Sequence, residues 1–313
     1  MQFDFDSAVV APFRMQPGLR RLAAGAPQLT PLAPGSRHQR EKLAVLSAFW
    51  QQALLIREGF DPWAALSALC EYAAAEHPQA WRWDGRHAHA VLLGTAADAE
   101  GRVEQTASGA FGLGDEIARC LRGLPEHWRL AGLLSLAFAE DFAIIDGSDG
   151  TIPWLAVALP SHWAPETKVG RHFTTVHAPV ADNALLLKAS ESLTRLVCGP
   201  ERWERFVWNV TDQPRLHAHP ARTARERWQQ TPVQHAWWRT ERQTFIPLPA
   251  LSQAVFTIHI QVQPLADALG SPARARALHD AIASMGPEVL AYRGLQAVRQ
   301  PLLHWLGDLA CAA

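Results

Sequence analysis

The sequence predicts an α+β fold: a central antiparallel sheet of about five strands with flanking helices, preceded by a helical N-terminal region. Three observations carry this. Asp141 to Ile145 and Ile152 to Leu159 are strand-like, and the DGSDG between them is turn-forming, so the three make a hairpin. After a helical interval come three more strand-like runs, Arg205 to Val210, Ala236 to Ile246 and Val255 to Val262. Helical periodicity dominates the first third and the C-terminal end. A sheet built from hairpins is most economically antiparallel.

Residues 1 to 38 hold Pro12, Pro17, Pro27, Pro31 and Pro34 with scattered glycines, so they read as an arm that lies on the domain surface or is partly disordered, and no core is expected there. Residues 39 to 313 then form a single domain. From Gln39, the residues Leu43, Leu46, Trp50, Ala53 and Leu54 make one helical stripe, stopped at Gly59. Asp61 caps a second helix with Pro62 at its first position, running to about Glu76 before Pro78. His87 to Gly94 reads as a strand, Asp98 to Gly101 as a turn, and Asp115 to Phe138 as helix broken near Gly123 to Pro125. Asp182 caps a helix whose buried stripe is Leu186, Ala189, Leu193, Leu196 and Val197, ended by Gly199-Pro200. PLPALSQ joins the last two strands. Ser271-Pro272 opens a helix to about Met285, and Leu295, Val298, Leu302, Trp305, Leu306 and Leu309 share a final helical face that Pro301 kinks or restarts. A hairpin, a helical insertion and then three strands is also the order of a PAS-type sheet, an analogy of fold that sets no function.

Composition narrows the function classes. A formal net charge of -1 and dispersed arginines argue against nucleic acid or an anionic membrane surface as main partner. Cys70, Cys120, Cys198 and Cys311 lie far apart with no C-x-x-C pair, so neither a disulfide framework nor a cysteine zinc site is indicated, and a reducing cytoplasm fits. No stretch approaches the roughly 20 apolar residues of a membrane span, and MQFDFDSAVV lacks the basic and then apolar run of a secretory signal. There is no P-loop, no G-x-G-x-x-G after a strand, no G-x-S-x-G and no H-E-x-x-H, which removes the commonest nucleotide, hydrolase and zinc-protease readings. The chain has 13 tryptophans, and the neighbours Trp237 and Trp238 point to opposite sides if they lie on a strand.

Pro160 to Asn183 concentrates the candidate chemistry. Pro165 suits the first turn of a helix and Pro179 forbids a helix past Ala178, which pins His177 at the end of a short helical stretch. Gly170 interrupts that stretch and permits a kink or the close approach of something bulky. His177 is then either a structural histidine or an axial ligand of a flat cofactor. His172 lies about 140° away on a helix, too far round to share one ion with it. Two H-x-H pairs, His87 with His89 and His217 with His219, would each share a strand face; the second lies among prolines and arginines and reads as a solvated loop. On a strand, Arg239, Glu241 and Gln243 share one face while Thr240, Arg242 and Thr244 share the other. That first row is a solvated outer face, or it is buried against a ligand. Arginine suits a propionate or a substrate carboxylate, and Glu241 suits a cationic amine.

The runs AEDFAIIDG (139 to 147), LPSHWAPETKVG (159 to 170), VHAPV (176 to 180), RTERQTFIPLP (239 to 249) and VFTIHI (255 to 260) together resemble the haem-dependent oxidative N-demethylase family, which includes the alpha subunit of bacterial dimethylamine monooxygenase. The similarity covers about residues 125 to 310 in the same order. It implies a PAS-like domain that binds haem b and activates dioxygen. The implied reaction oxidises the N-methyl carbon of a small, dimethylamine-like secondary amine and releases formaldehyde, with electrons from a partner reductase. By the same resemblance His177 is the axial iron ligand, Arg239 and Glu241 are catalytic pocket residues, and Lys168, Gly170, Arg242 and Gln243 bind the cofactor. Two other readings are a non-catalytic haem- or small-ligand-binding PAS-like protein, and a non-haem metalloprotein using an H-x-H pair.

Overall fold

The structure, a computed structural model, describes residues 3–110, 112–178, 181, 187–224, 226–229 and 231–311, and of His177 the backbone alone. In chain order the strands are β1 (Arg20–Arg21), β2 (Leu54–Ile56), β3 (Trp81–Trp83), β4 (His87–Ala90), β5 (Thr95–Asp98), β6 (Val103–Gln105), β7 (Asp141–Asp146), β8 (Thr151–Ala156), β9 (Trp203–Thr211), β10 (Trp237–Leu248) and β11 (Gln253–Pro264). β3 to β6 form a small meander, and the rest form a seven-stranded sheet in the order β1-β9-β10-β11-β7-β8-β2. All its pairings are antiparallel. The five expected strands are its centre, and the two additions are short edge strands.

Local chemistry explains the hairpins. In the β7–β8 turn the Asp146 carboxylate accepts the Ser148 N–H at 2.9 Å and Asp149 accepts the Thr151 N–H at 3.0 Å. β10 and β11 pair from Trp237 opposite Pro264 to Leu248 opposite Gln253. Their turn is a tight helical one over Pro249–Leu251. β7 pairs with β11, so the first hairpin returns to the sheet centre beside the last strand.

The alternation along these strands gives the sheet two faces. Ile246, Val255, Ile144 and Trp154 stand opposite one another across four strands and define the back. Helices α1 (Phe5–Ala8), α2 (Arg37–Ala53), α3 (Trp63–Glu76), α4 (Glu116–Arg122) and α5 (Arg129–Ala137) precede the hairpin. α2, α3 and α5 bring Leu46, Leu69, Leu133 and Leu134 into one apolar cluster with the back face. Lys42 on α2 is fully buried there: its ammonium donates to the carbonyls of Phe138 and Glu140 at 3.0 and 2.6 Å and pairs with Asp141 at 3.2 Å. Asp141 in turn accepts the Leu159 N–H at 2.7 Å.

After the hairpin come α6 (Phe173–His177), α7 (Ser190–Val197), α8 (Leu265–Leu269), α9 (Pro272–Ala283), α10 (Pro287–Tyr292) and α11 (Arg299–Cys311). Leu278, Ile282, Leu302 and Leu306 pack with Trp208 and Trp238 in a second cluster. Trp237 packs against the first cluster instead, so the two neighbouring rings part as a strand requires. Ser271 caps its helix as expected, accepting the Arg274 N–H, whereas the earlier helix begins one residue late, at Trp63, with Pro62 in the capping position; Asp61 accepts the Trp63 N–H at 2.9 Å from just outside it. Asp182 and Leu186 lie outside the described residues.

Two expectations are corrected. The N-terminal 38 residues do add core, because Phe5 and Val9 join the second cluster and Leu29 the first. Before α2 the described residues form regular elements only in the short α1 and β1, which does not prevent single apolar side chains from filling gaps. The expected single strand from His87 is one member of the four-stranded meander, whose partners are too short to show a period. Among the described residues no helix is long and apolar enough to cross a membrane.

Candidate active site

Phe245, Phe256, Ala143 and Leu155 stand opposite one another on the front of the sheet and floor a cavity of about 440 Å³. That volume lies within the about 300–1,000 Å³ usual for small-molecule and cofactor pockets. Arg205, Val207 and Asn209 of β9 and Arg239, Glu241 and Gln243 of β10 continue the floor. Ser161, His162, Trp163, Lys168, Phe173 and Val176, from the excursion after the first hairpin, roof it. Met15, Tyr292 and Arg293 come from the two ends of the chain.

Arg239 is the fixed point of the wall. Only 1% exposed, its guanidinium donates to Ser161 Oγ at 2.7 Å and to the carbonyls of Arg215 (3.0 Å), Pro160 (3.2 Å), Leu216 (2.6 Å) and Leu159 (3.5 Å). Burial pulls its pKa down to about 10. It thereby holds the roof segment 159–161 and the loop at 215–216 against the sheet. Glu241 is 8% exposed, and its carboxylate accepts the Gln243 amide at 2.5 Å. Lys168 donates to the Val176 carbonyl at 2.9 Å, and burial lowers its pKa. That bond ties the roof to the residue before His177.

Among the described residues, three buried polar atoms of cavity-lining side chains have no hydrogen-bond partner: Arg205 Nε, Arg293 Nε and Asn209 Oδ1. The rest of the Arg293 guanidinium is committed, since Nη1 donates to the Trp208 carbonyl at 2.6 Å and the plane lies 4.4 Å from the Phe13 ring centre. Burial lowers the pKa of Arg205, and lowers that of Arg293 to about 10.

His162 stands in the roof with a left-handed backbone, φ 63. Non-glycine residues pay for that conformation, and such strain clusters at functional sites. Its Nε2 lies 3.2 Å from Thr211 Oγ1. Burial first, then Arg227 and Arg239, push its imidazole down to about 3. On the back of the sheet, burial pushes His38 down to about 4. Both imidazoles stay neutral in the fold while the unfolded chain protonates near 6.5. Their stabilisation is therefore complete above about pH 6.5 and falls as pH drops toward the folded values, by about 1.4 kcal/mol per pH unit for each histidine. Urea midpoints at pH 7.5 and 5.5 should show this loss; a flat profile would mean that these rings are not held neutral.

The other expected site residues divide as follows. Gln243 lines the cavity with Arg239, Glu241 and Lys168. Arg242 points to the opposite face, where it donates to Glu204 at 2.9 Å and to the Pro27 carbonyl at 3.1 Å. Gly170 does not line the cavity; it turns the chain at φ +69 between the helical turn Pro165–Thr167 and α6, and its N–H donates to the Ile152 carbonyl at 2.8 Å. Gly170→Ala should cost about 1–2 kcal/mol, read as a shift in the denaturation midpoint. α6 is capped by His172, whose Nδ1 accepts the Thr174 N–H at 3.2 Å, and His177 is its last residue. The His177 side chain and Pro179 lie outside the described residues.

The H-x-H pairs behave differently from one another. His87 is exposed beside Asp84, and His89 meets Thr106 at 2.9 Å. His217 and His219 are not in a solvated loop: His219 is 2% exposed and faces Glu166 at 3.1 Å. The reason is a long-range pairing, in which the Ala218 N–H donates to the Pro160 carbonyl at 3.0 Å and the His162 N–H to the Ala218 carbonyl at 2.9 Å. Among the described residues no three His, Cys, Asp or Glu side chains gather to hold a metal ion.

Arg205, Asn209, His162 and Arg293 went unnoticed in the sequence. Strand phase could have found the first two, since Arg205 stands opposite Gln243 and Asn209 opposite Arg239. Compared with models of known families, residues 61–303 match the one described as haem-dependent oxidative N-demethylase, alpha subunit-like.

Proposed function

The chain belongs to that family, the match spanning more than three quarters of its length, and we propose that it oxidatively N-demethylates a small secondary amine with haem b in the front-face cavity. The observation that carries this reading is the donor set. An apolar floor of Ala143, Leu155, Val207, Phe245 and Phe256 suits a flat macrocycle. Lys168 on the roof and Arg293, which also lines the cavity, suit its two carboxylates. His177, the last residue of α6 and next to Val176 of the roof, would hold its iron. The strand order supports a PAS-like sheet, with the hairpin β7–β8, a helical excursion, and β9 to β11 closing against β7.

When bound, haem supplies the dioxygen and one-electron chemistry that side chains lack. The residues of the chain do the rest. Glu241 takes an N–H of the protonated amine and orients its methyl group, while Gln243 fixes the carboxylate. Trp163, Phe173 and Val176 keep bulk water from the reacting carbon. Arg239 holds the roof in register. One oxygen atom enters the methyl C–H bond and the other leaves as water, with two electrons and two protons from a reductase. The resulting N-hydroxymethyl group then breaks its C–N bond, giving formaldehyde and the shortened amine.

The test is formaldehyde formed when the haem-loaded protein meets a panel of small N-methylamines with dioxygen and a chemical reductant. Substrate-dependent formaldehyde supports the reading. Haem binding without formaldehyde from any amine would leave the chain a non-catalytic haem protein.

A further inference from the structure

The cavity is built for more charge than a simple amine brings. Arg205 and Asn209 of β9 stand opposite Gln243 and Arg239 of β10, so they flank Glu241 as its two diagonal neighbours, each at about 7–8 Å. Among the described residues, neither Arg205 Nε nor Asn209 Oδ1, both buried, has a hydrogen-bond partner. Glu241 supplies an opposite charge to the Arg205 guanidinium, but a buried N–H left without an acceptor is costly, and a ligand carboxylate offsets that cost. A protonated secondary amine has two N–H donors; Glu241 accepts one and the free Asn209 oxygen the other. A small molecule seated there reaches Arg205 if it carries an anion a few ångströms from its nitrogen. Tyr292 lines the same cavity.

Resting on the demethylase reading above, we infer that the substrate class is an N-methyl amino acid, its ammonium between Glu241 and Asn209 and its carboxylate on Arg205, rather than an uncharged-tail amine such as dimethylamine. A carboxylate of haem is the competing anion for Arg205. Lys168 and Arg293 line the same cavity and would serve it, and a haem carboxylate at Arg205 would face Glu241 without the ammonium that a zwitterionic ligand places between the two anions.

Calorimetric titration of the haem-loaded protein with N-methylglycine and with dimethylamine tests this. N-methylglycine should bind at least about tenfold more tightly, and Arg205→Met should weaken it about 10–100-fold with haem content kept, the loss of one charge-assisted contact. Arg205→Lys, which keeps the charge, should fall between. Equal affinity of the two ligands for the wild-type protein overturns the inference without any variant. A folded Arg205→Met or Arg205→Lys protein that loses haem also overturns it, by giving the anion to the cofactor. Failure of the demethylase reading shows separately, as no formaldehyde from any N-methylamine, whatever the affinity ratio.

Discussion

Arg239→Met should destabilise the fold by roughly 3 kcal/mol or more, the largest loss expected from any single change in the cavity wall. The substitution keeps much of the side chain's volume, so the cost is polar. Ser161 Oγ and the carbonyls of Leu159, Pro160, Arg215 and Leu216 lose the donor they share, in a place water does not reach. Lysine keeps the charge, but a compact ammonium cannot span acceptors on two separate segments, so Arg239→Lys should recover only part. Chemical denaturation gives the number. Because the roof carries His162 and leads to α6, both variants should also hold ligands less tightly at temperatures where they remain folded. A variant as stable as the wild type would mean that the roof is held by something other than this guanidinium.

Glu241→Gln should lower kcat/KM for the amine substrate about 10–100-fold, the value of one hydrogen bond to a charged group in a desolvated site. The effect should fall mainly on KM if Glu241 binds the ammonium equally in ground and transition states. The same variant also withdraws the opposite charge facing the buried Arg205 and Arg239 guanidiniums, so it should lower the melting temperature as well. An activity loss larger than the stability loss, measured below the melting range of both proteins, separates a ligand-binding carboxylate from a structural one. Equal losses in both would make Glu241 part of the scaffold.

Much of this arrangement was legible in the residues. Period-two alternation located β7 to β11 and put Arg239, Glu241 and Gln243 on one face with Arg242 and Thr244 on the other. Two helix starts could be read to within a residue from Asp61 and Ser271, whose side chains bond backbone N–H groups two or three positions away. What depended on distant segments was hidden. Nothing local says that Arg242 meets Glu204 on β9, or that Ala218 bridges Pro160 and His162 and so buries the second H-x-H pair. His162 looks like any histidine beside a tryptophan until its left-handed backbone is seen. The isolated apolar residues of the first 38 positions carry no period, so their burial in two clusters could only be found in the packed molecule.

The central claim is that the front-face cavity holds haem through His177. Its most direct test is the visible absorption spectrum of the purified chain titrated with haem, beside that of His177→Ala at matched folded content. The account predicts a saturable Soret band for the wild type and its loss or marked shift in the variant, with far-ultraviolet circular dichroism unchanged. A wild-type chain that develops no such band, or a variant with the same spectrum and affinity, would contradict it.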